Sequence, residues 1–91
     1  MLLGAYSFET PQDLHEEFWE IHPTGDEVIF LMSGVVDLEL LEANGPRRTR
    51  LSAGCGVIVP AGVWHRFRQE QPGKMVAMTP CEGTRLSLIP E

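Results

Sequence analysis

Two groups of residues able to bind a metal ion or move a proton stand far apart in this chain. The first is Glu20-Ile21-His22, followed across Pro23-Thr24-Gly25-Asp26 by Glu27; the second is His65 at the end of Pro60-Ala61-Gly62-Val63-Trp64-His65. Imidazole nitrogens and carboxylate oxygens suit Zn²⁺, Fe²⁺, Mn²⁺ or Ni²⁺, and the set alone does not choose among them. Two histidines and one carboxylate leave coordination positions open for water or substrate, as metal-assisted catalysis requires. If Glu20 also binds, a divalent ion is formally neutralised and becomes a weaker Lewis acid. Otherwise Glu20 is a cavity carboxylate available as a general base or substrate contact, with a pKa raised by apolar walls unless a cation compensates.

The elements that must position these groups are short strands. Alternate residues on a strand share a face, so Glu20 and His22 point one way while Trp19 and Ile21 point the other. The turn after His22 returns the chain and sets Glu27 beside that pair, and His65 shares a face with Phe67 on a distant strand. If the strands roll into a barrel, all four side chains reach one interior point. The remaining pattern agrees with a barrel. Strands are expected over residues 2–8, 18–22, 27–32, 35–42, 47–51, 57–59, 64–69 and 75–79, with breaks at Ser33-Gly34 and Gln71-Pro72-Gly73-Lys74. Asn44-Gly45 is a strong hairpin signal. Residues 11–18 read as a loop or one helical turn, the tail after Pro80 reads as irregular, and no helix of useful length fits.

Composition narrows the function. The 91 residues make one domain, 1–91, with 9 Gly and 7 Pro favouring turns over helices. The net charge of −6 speaks against nucleic acid and anionic membranes, and Arg47-Arg48-Thr49-Arg50 and Arg66-Phe67-Arg68 read as solvent faces of strands. No apolar run approaches the ~20 residues of a membrane helix, and the first residues do not form a signal peptide, which gives a cytoplasmic expectation. Cys55 and Cys81 lack C-x-x-C spacing and are expected as reduced thiols.

The two stretches resemble the paired motifs of the cupin superfamily, G-x5-H-x-H-x3–4-E-x6-G and G-x5-P-x-G-x2-H-x3-N. The first covers about residues 19–34, with His22, Glu27 and Gly34 at family spacing. The second covers about residues 54–69, with Gly54, Pro60, Gly62 and His65. Glu20 stands where the first histidine is expected, Gln69 replaces the closing asparagine, and the opening glycine of the first motif is missing. The W-E-x-H-P-x-G-D-E form resembles that of small single-domain bacterial cupins. The resemblance implies an all-β, small antiparallel barrel of jelly-roll type. It further implies metal ligands at His22, Glu27 and His65, with Glu20 joining them only where a carboxylate replaces the imidazole.

A divalent-metal cupin that takes a small polar or anionic molecule is therefore the leading expectation, without a defined reaction. The alternatives are a metal-free or non-catalytic ligand-binding sensor and a degenerate barrel kept for assembly. Asp26 reads as a turn residue and His15 as a surface histidine, while Phe30, Phe67, Met32, Met75 and Met78 read as core or pocket wall. Alternation turns Trp19, Ile21 and Trp64 away from the lumen, so they are expected in a second sheet or a homodimer interface. With fewer than twenty residues before the first motif, the barrel is expected to lack an edge strand or to borrow one from a second copy.

Overall fold

The computed structural model describes residues 1–89. Seven strands follow one another: β1 (Leu2–Phe8), β2 (Trp19–Ile21), β3 (Glu27–Glu42), β4 (Gly45–Ser52), β5 (Gly56–Val59), β6 (His65–Thr79) and β7 (Arg85–Ser87). A single 3₁₀ turn, Pro11–Leu14, precedes β2. All pairings are antiparallel.

β3 and β6 run 16 and 15 residues and pair along most of their length. Each was expected as two strands divided by a turn. Both are continuous because the two expected breaks lie opposite one another: Ser33 pairs with Lys74 and Val35 with Gln71, with register shifts on either side. Here the backbones nearly touch. A Cβ on Gly34, at φ +86°, would lie 2.6 Å from the Pro72 carbonyl oxygen, and one on Gly73 would overlap the Ser33 carbonyl. Ser33 Oγ accepts the Lys74 N–H at 3.0 Å, closing the ladder over the irregularity. Glycine and proline thus bend paired strands at a bulge and do not end them.

The bend divides the strands between two layers. In the first, β5, the start of β3, the end of β6 and β1 lie side by side; in the second, β4, the end of β3, the start of β6, β2 and β7. Their inner faces supply Phe8, Ile29, Leu31, Val59, Met75 and Ala77 from one side and Val36, Leu38, Leu40 and Leu51 from the other. This is the antiparallel jelly-roll barrel expected. β1 pairs with β6 of its own chain from Leu2↔Thr79 to Phe8↔Gly73, so this chain supplies an edge strand of its own. The tail, expected as irregular, forms β7 against β2.

The outer faces differ. On the second layer, Trp19, Ile21 and Trp64 are buried together with Leu41 against them, in a cluster built within one chain. Arg66 lies 4.3 Å over the Trp19 ring, and Arg85 5.5 Å over Trp64. These side chains do not wait for a partner subunit. Beside them the buried Glu39 carboxylate accepts from Arg66 Nε at 3.1 Å and Arg68 Nε at 2.8 Å. On the first layer, Val28, Phe30, Met32, Ile58, Met78 and Leu3 are exposed. Phe30, Met32 and Met78 are therefore neither core nor pocket, because Ile29, Leu31 and Ala77 take the inward positions of the same strands.

Candidate metal centre

Four side chains expected to converge do so. Glu20 sits directly opposite His65 in the ladder between β2 and β6. His22 leaves the end of β2, and the turn over residues 23–26 brings Glu27 back as the first residue of β3. The two motif loops are stitched together: Gly62 N–H donates to the His22 carbonyl at 3.0 Å, and Ala61 N–H to Asp26 Oδ1 at 2.8 Å. Asp26 is thus a turn residue whose carboxylate also holds the loop carrying His65.

One donor atom from each of Glu20, His22, Glu27 and His65 lies within 4.8 Å of the others. His22 Nε2 is 2.9 Å from Glu20 Oε1 and 3.5 Å from Glu27 Oε2; His65 Nε2 is 3.1 Å from Glu27 Oε1 and 3.7 Å from Glu20 Oε1. Donors around one ion at ~2.1 Å stand roughly 3.0–3.4 Å apart, so four of these separations lie close to those of a coordination shell. His22, Glu27 and His65 are buried, and the Glu20 side chain is 32% exposed. His22 Nε2, His65 Nε2 and Glu27 Oε1 are buried without a hydrogen bond of acceptable geometry. Buried polar atoms left in that state are rare and call for a partner, and these three converge on one point. The residues fit a divalent metal ion.

The outward sides of these side chains are fixed by partners. Thr84 Oγ1 lies 2.8 Å from His22 Nδ1 and 3.4 Å from the Pro80 carbonyl oxygen. A carbonyl can only accept, so the single hydroxyl proton goes to Pro80 and the Thr84 oxygen accepts from His22 Nδ1–H. His65 Nδ1 lies 3.2 Å from the Val63 carbonyl and must likewise be the protonated nitrogen. In the neutral form, both rings therefore turn an Nε2 lone pair toward the common point. Thr79 Oγ1 donates to Glu27 Oε2 at 2.7 Å, which leaves Oε1 as the free oxygen.

Electrostatics without a metal follow from the same contacts. Burial disfavours the His65 imidazolium, but the Glu20 and Glu27 carboxylates outweigh it and push its pKa up to about 9. Burial also works against the Glu20 carboxylate, and His65 and His22 overcome it, so its pKa is lowered. A raised pKa at Glu20 was an expectation conditional on no nearby cation; His65 is that cation.

Thr84 and Thr79 were not anticipated from sequence. Neither lies in a motif, and each reaches its partner, His22 or Glu27, across more than fifty positions of chain, with separations of 62 and 52. His15, expected as a surface residue, is exposed but lines the mouth of the cavity above the four side chains, in a left-handed conformation at φ 51°. Gln69, in place of the closing asparagine, donates its Nε2–H to the Glu9 carbonyl at 3.0 Å, and its backbone N–H donates to Glu16 Oε2 at 2.6 Å. It ties the segment that carries the 3₁₀ turn to β6.

A barrel whose interior side chains from two stitched loops form such a cluster defines a class, and the comparisons agree. The chain belongs to the cupin domain family, which matches residues 9–79. No curated protein matches it in sequence. Among solved structures it is similar to Fe(II)-HppE with the alternative substrate (S)-1-HPP, at 22% identity and TM-score 0.62 over 86% of this chain and 40% of that one. A cupin-2 domain containing protein from Shewanella frigidimarina matches at 21% identity and TM-score 0.62, over 85% of this chain and 68% of that one. W96Y oxalate decarboxylase from Bacillus subtilis matches at 15% identity and TM-score 0.69, over 86% and 21% respectively. The chain thus spans 40% of the length of the iron protein, and at these identities the likeness establishes the fold.

Proposed function

We propose that this chain, acting as a single cupin domain, binds a divalent ion through His22, Glu27, His65 and Glu20 and holds a small molecule in the cavity above it. The observation that carries the reading is the convergence of three buried donor atoms that lack a well-directed hydrogen bond and whose outward sides are already fixed by Thr84, Thr79 and Val63. When bound, such an ion would supply Lewis acidity toward a substrate oxygen or water. Glu20, the most exposed of the four, would be the member to take a proton from a molecule bound there. Zn, Fe, Mn and Ni all suit the donor set, and the reaction stays undefined. Metal analysis of protein purified without a histidine tag tests this. One equivalent lost in both His22→Ala and His65→Ala supports it, and no uptake after reconstitution refutes it.

One observation favours a second reading, a metal-free ligand-binding cupin: His65 Nε2 lies 3.1 Å from Glu27 Oε1 and 3.7 Å from Glu20 Oε1, so its imidazolium partly offsets the two carboxylates without an ion. The same metal analysis separates the two, and turnover against a substrate panel then divides enzyme from sensor.

The protein is also proposed to be a homodimer in the cytoplasm. The exposed face of Val28, Phe30, Met32, Ile58 and Met78 supports the dimer, and Cys55 and Cys81, both free thiols, suit a reducing compartment. Among the described residues no helix is long and apolar enough to cross a membrane. Light scattering checks the dimer: Phe30→Lys should halve the particle mass, and a wild-type monomer at micromolar concentration would refute it.

A further inference from the structure

The cavity above the four side chains has a volume of about 350 Å³, and its walls state what kind of molecule it accepts. Leu14, Ile29, Phe67 and Met75 make an apolar surface reaching from the metal-binding group to the mouth. Its ionisable side chains at pH 7 are acids, Asp13, Glu20 and Glu27, together with the histidines; no Lys or Arg is among the described residues that line it. The arginines are engaged elsewhere. Arg48, Arg66 and Arg68 surround Glu39 on the outer face, Arg47 and Arg50 pair with Glu42 and Glu70, and Arg85 lies over Trp64. A divalent ion at the site would cancel Glu20 and Glu27 and leave Asp13, so the cavity would carry no net positive charge for an anion beyond the ion itself. Asp13 also spends one oxygen on the Glu9 and Thr10 N–H groups, which hold its charge at the mouth.

We infer that the occupant is a small molecule with no anionic group on its far end, with a metal-binding polar end toward Glu20, His22 and Glu27 and an apolar body along Leu14, Ile29, Phe67 and Met75. This narrows the polar-or-anionic class expected from sequence, and it rests on the reading that the four side chains hold a metal. A carboxylate or phosphate on the far end of a ligand would lose hydration beside apolar carbon with no Lys or Arg to meet it and with the Asp13 carboxylate nearby. An alkyl or aryl group there gains burial instead.

The test holds the chelating end constant and varies the tail. Zinc-loaded protein, its metal content measured before and after, is titrated calorimetrically with hexanohydroxamic acid and with its carboxylate-ended analogue, adipic acid monohydroxamate. The uncharged tail should bind about tenfold or more tightly. Leu14→Arg, which brings a guanidinium to the half-buried wall, should reverse that order. Equal or tighter binding of the carboxylate-ended compound to metal-loaded wild-type protein overturns the inference, as does an unchanged ratio in Leu14→Arg. A protein that takes up no zinc overturns the metal reading itself, and the inference with it.

Discussion

Thr84→Val is the most discriminating perturbation of the site. The substitution keeps the branched shape but deletes the oxygen 2.8 Å from His22 Nδ1, on a ring that is 3% exposed. Two effects separate. The metal-free protein loses a buried hydrogen bond and strands an N–H, at a cost of about 1–3 kcal/mol. In addition, nothing then holds the His22 ring in the tautomer that points the Nε2 lone pair inward. Outer partners of this kind are worth about 10–100-fold in metal affinity, or about 1.4–2.7 kcal/mol. Competition with a chromophoric chelator measures the affinity, and thermal unfolding with and without zinc measures the linkage. A merely structural Thr84 would lower both melting temperatures equally; a positioning Thr84 must also shrink the gap between them. Thr84→Ser should restore both values. Wild-type zinc affinity in Thr84→Val would refute the reasoning.

Further predictions concern the metal-free protein. His65 is held at about 9 against an ordinary 6.5, so its contribution is fully present below ~6.5 and is lost as pH rises through about 9. Denaturant titrations should therefore show a loss of about 3 kcal/mol over that window, absent in His65→Gln, and a flat profile would contradict it. Glu20, with its lowered pKa, acts in the opposite sense, losing its contribution as pH falls through its folded value. Gly73→Ala drives a Cβ into the Ser33 carbonyl and should cost about 3 kcal/mol or more. Gly45→Ala, at φ +110° with open space around it, should cost only about 1–2 kcal/mol; similar melting temperatures for the two would refute the crossing geometry. Glu39→Gln breaks the contacts to Arg66 and Arg68, and because Arg68 is 47% exposed the expected loss in chemical denaturation is only about 1–2 kcal/mol.

The four site side chains were legible in the sequence because strand alternation and turn spacing are local rules: Glu20 and His22 share a face, and the Pro23–Asp26 turn returns Glu27 beside them. The Asn44-Gly45 hairpin was legible for the same reason. What escaped depends on where distant segments meet. Ser33-Gly34 and Pro72-Gly73 each look like a chain reversal, and only their juxtaposition makes them a shared bend in two continuous strands. Trp19, Ile21 and Trp64 were correctly turned outward, but nothing local showed that Leu41 and two arginines would cover them. Thr84 had no signal at all, since a threonine in a polar tail becomes informative only when β7 lays it beside His22.

The pairing of Glu20 with His65 also bears on the order of events in folding. Residues 20 and 65 pair across the chain that forms β3, β4 and β5, and Thr84 comes from the segment just before β7. Loop closure over such separations comes late, so the folding transition state should hold the near neighbours His22 and Glu27 but not the whole cluster. An ion that needs all four donors would then leave the folding rate nearly unchanged and act on the unfolding rate instead. For this chain, metal would lengthen the lifetime of the native state without hastening its birth.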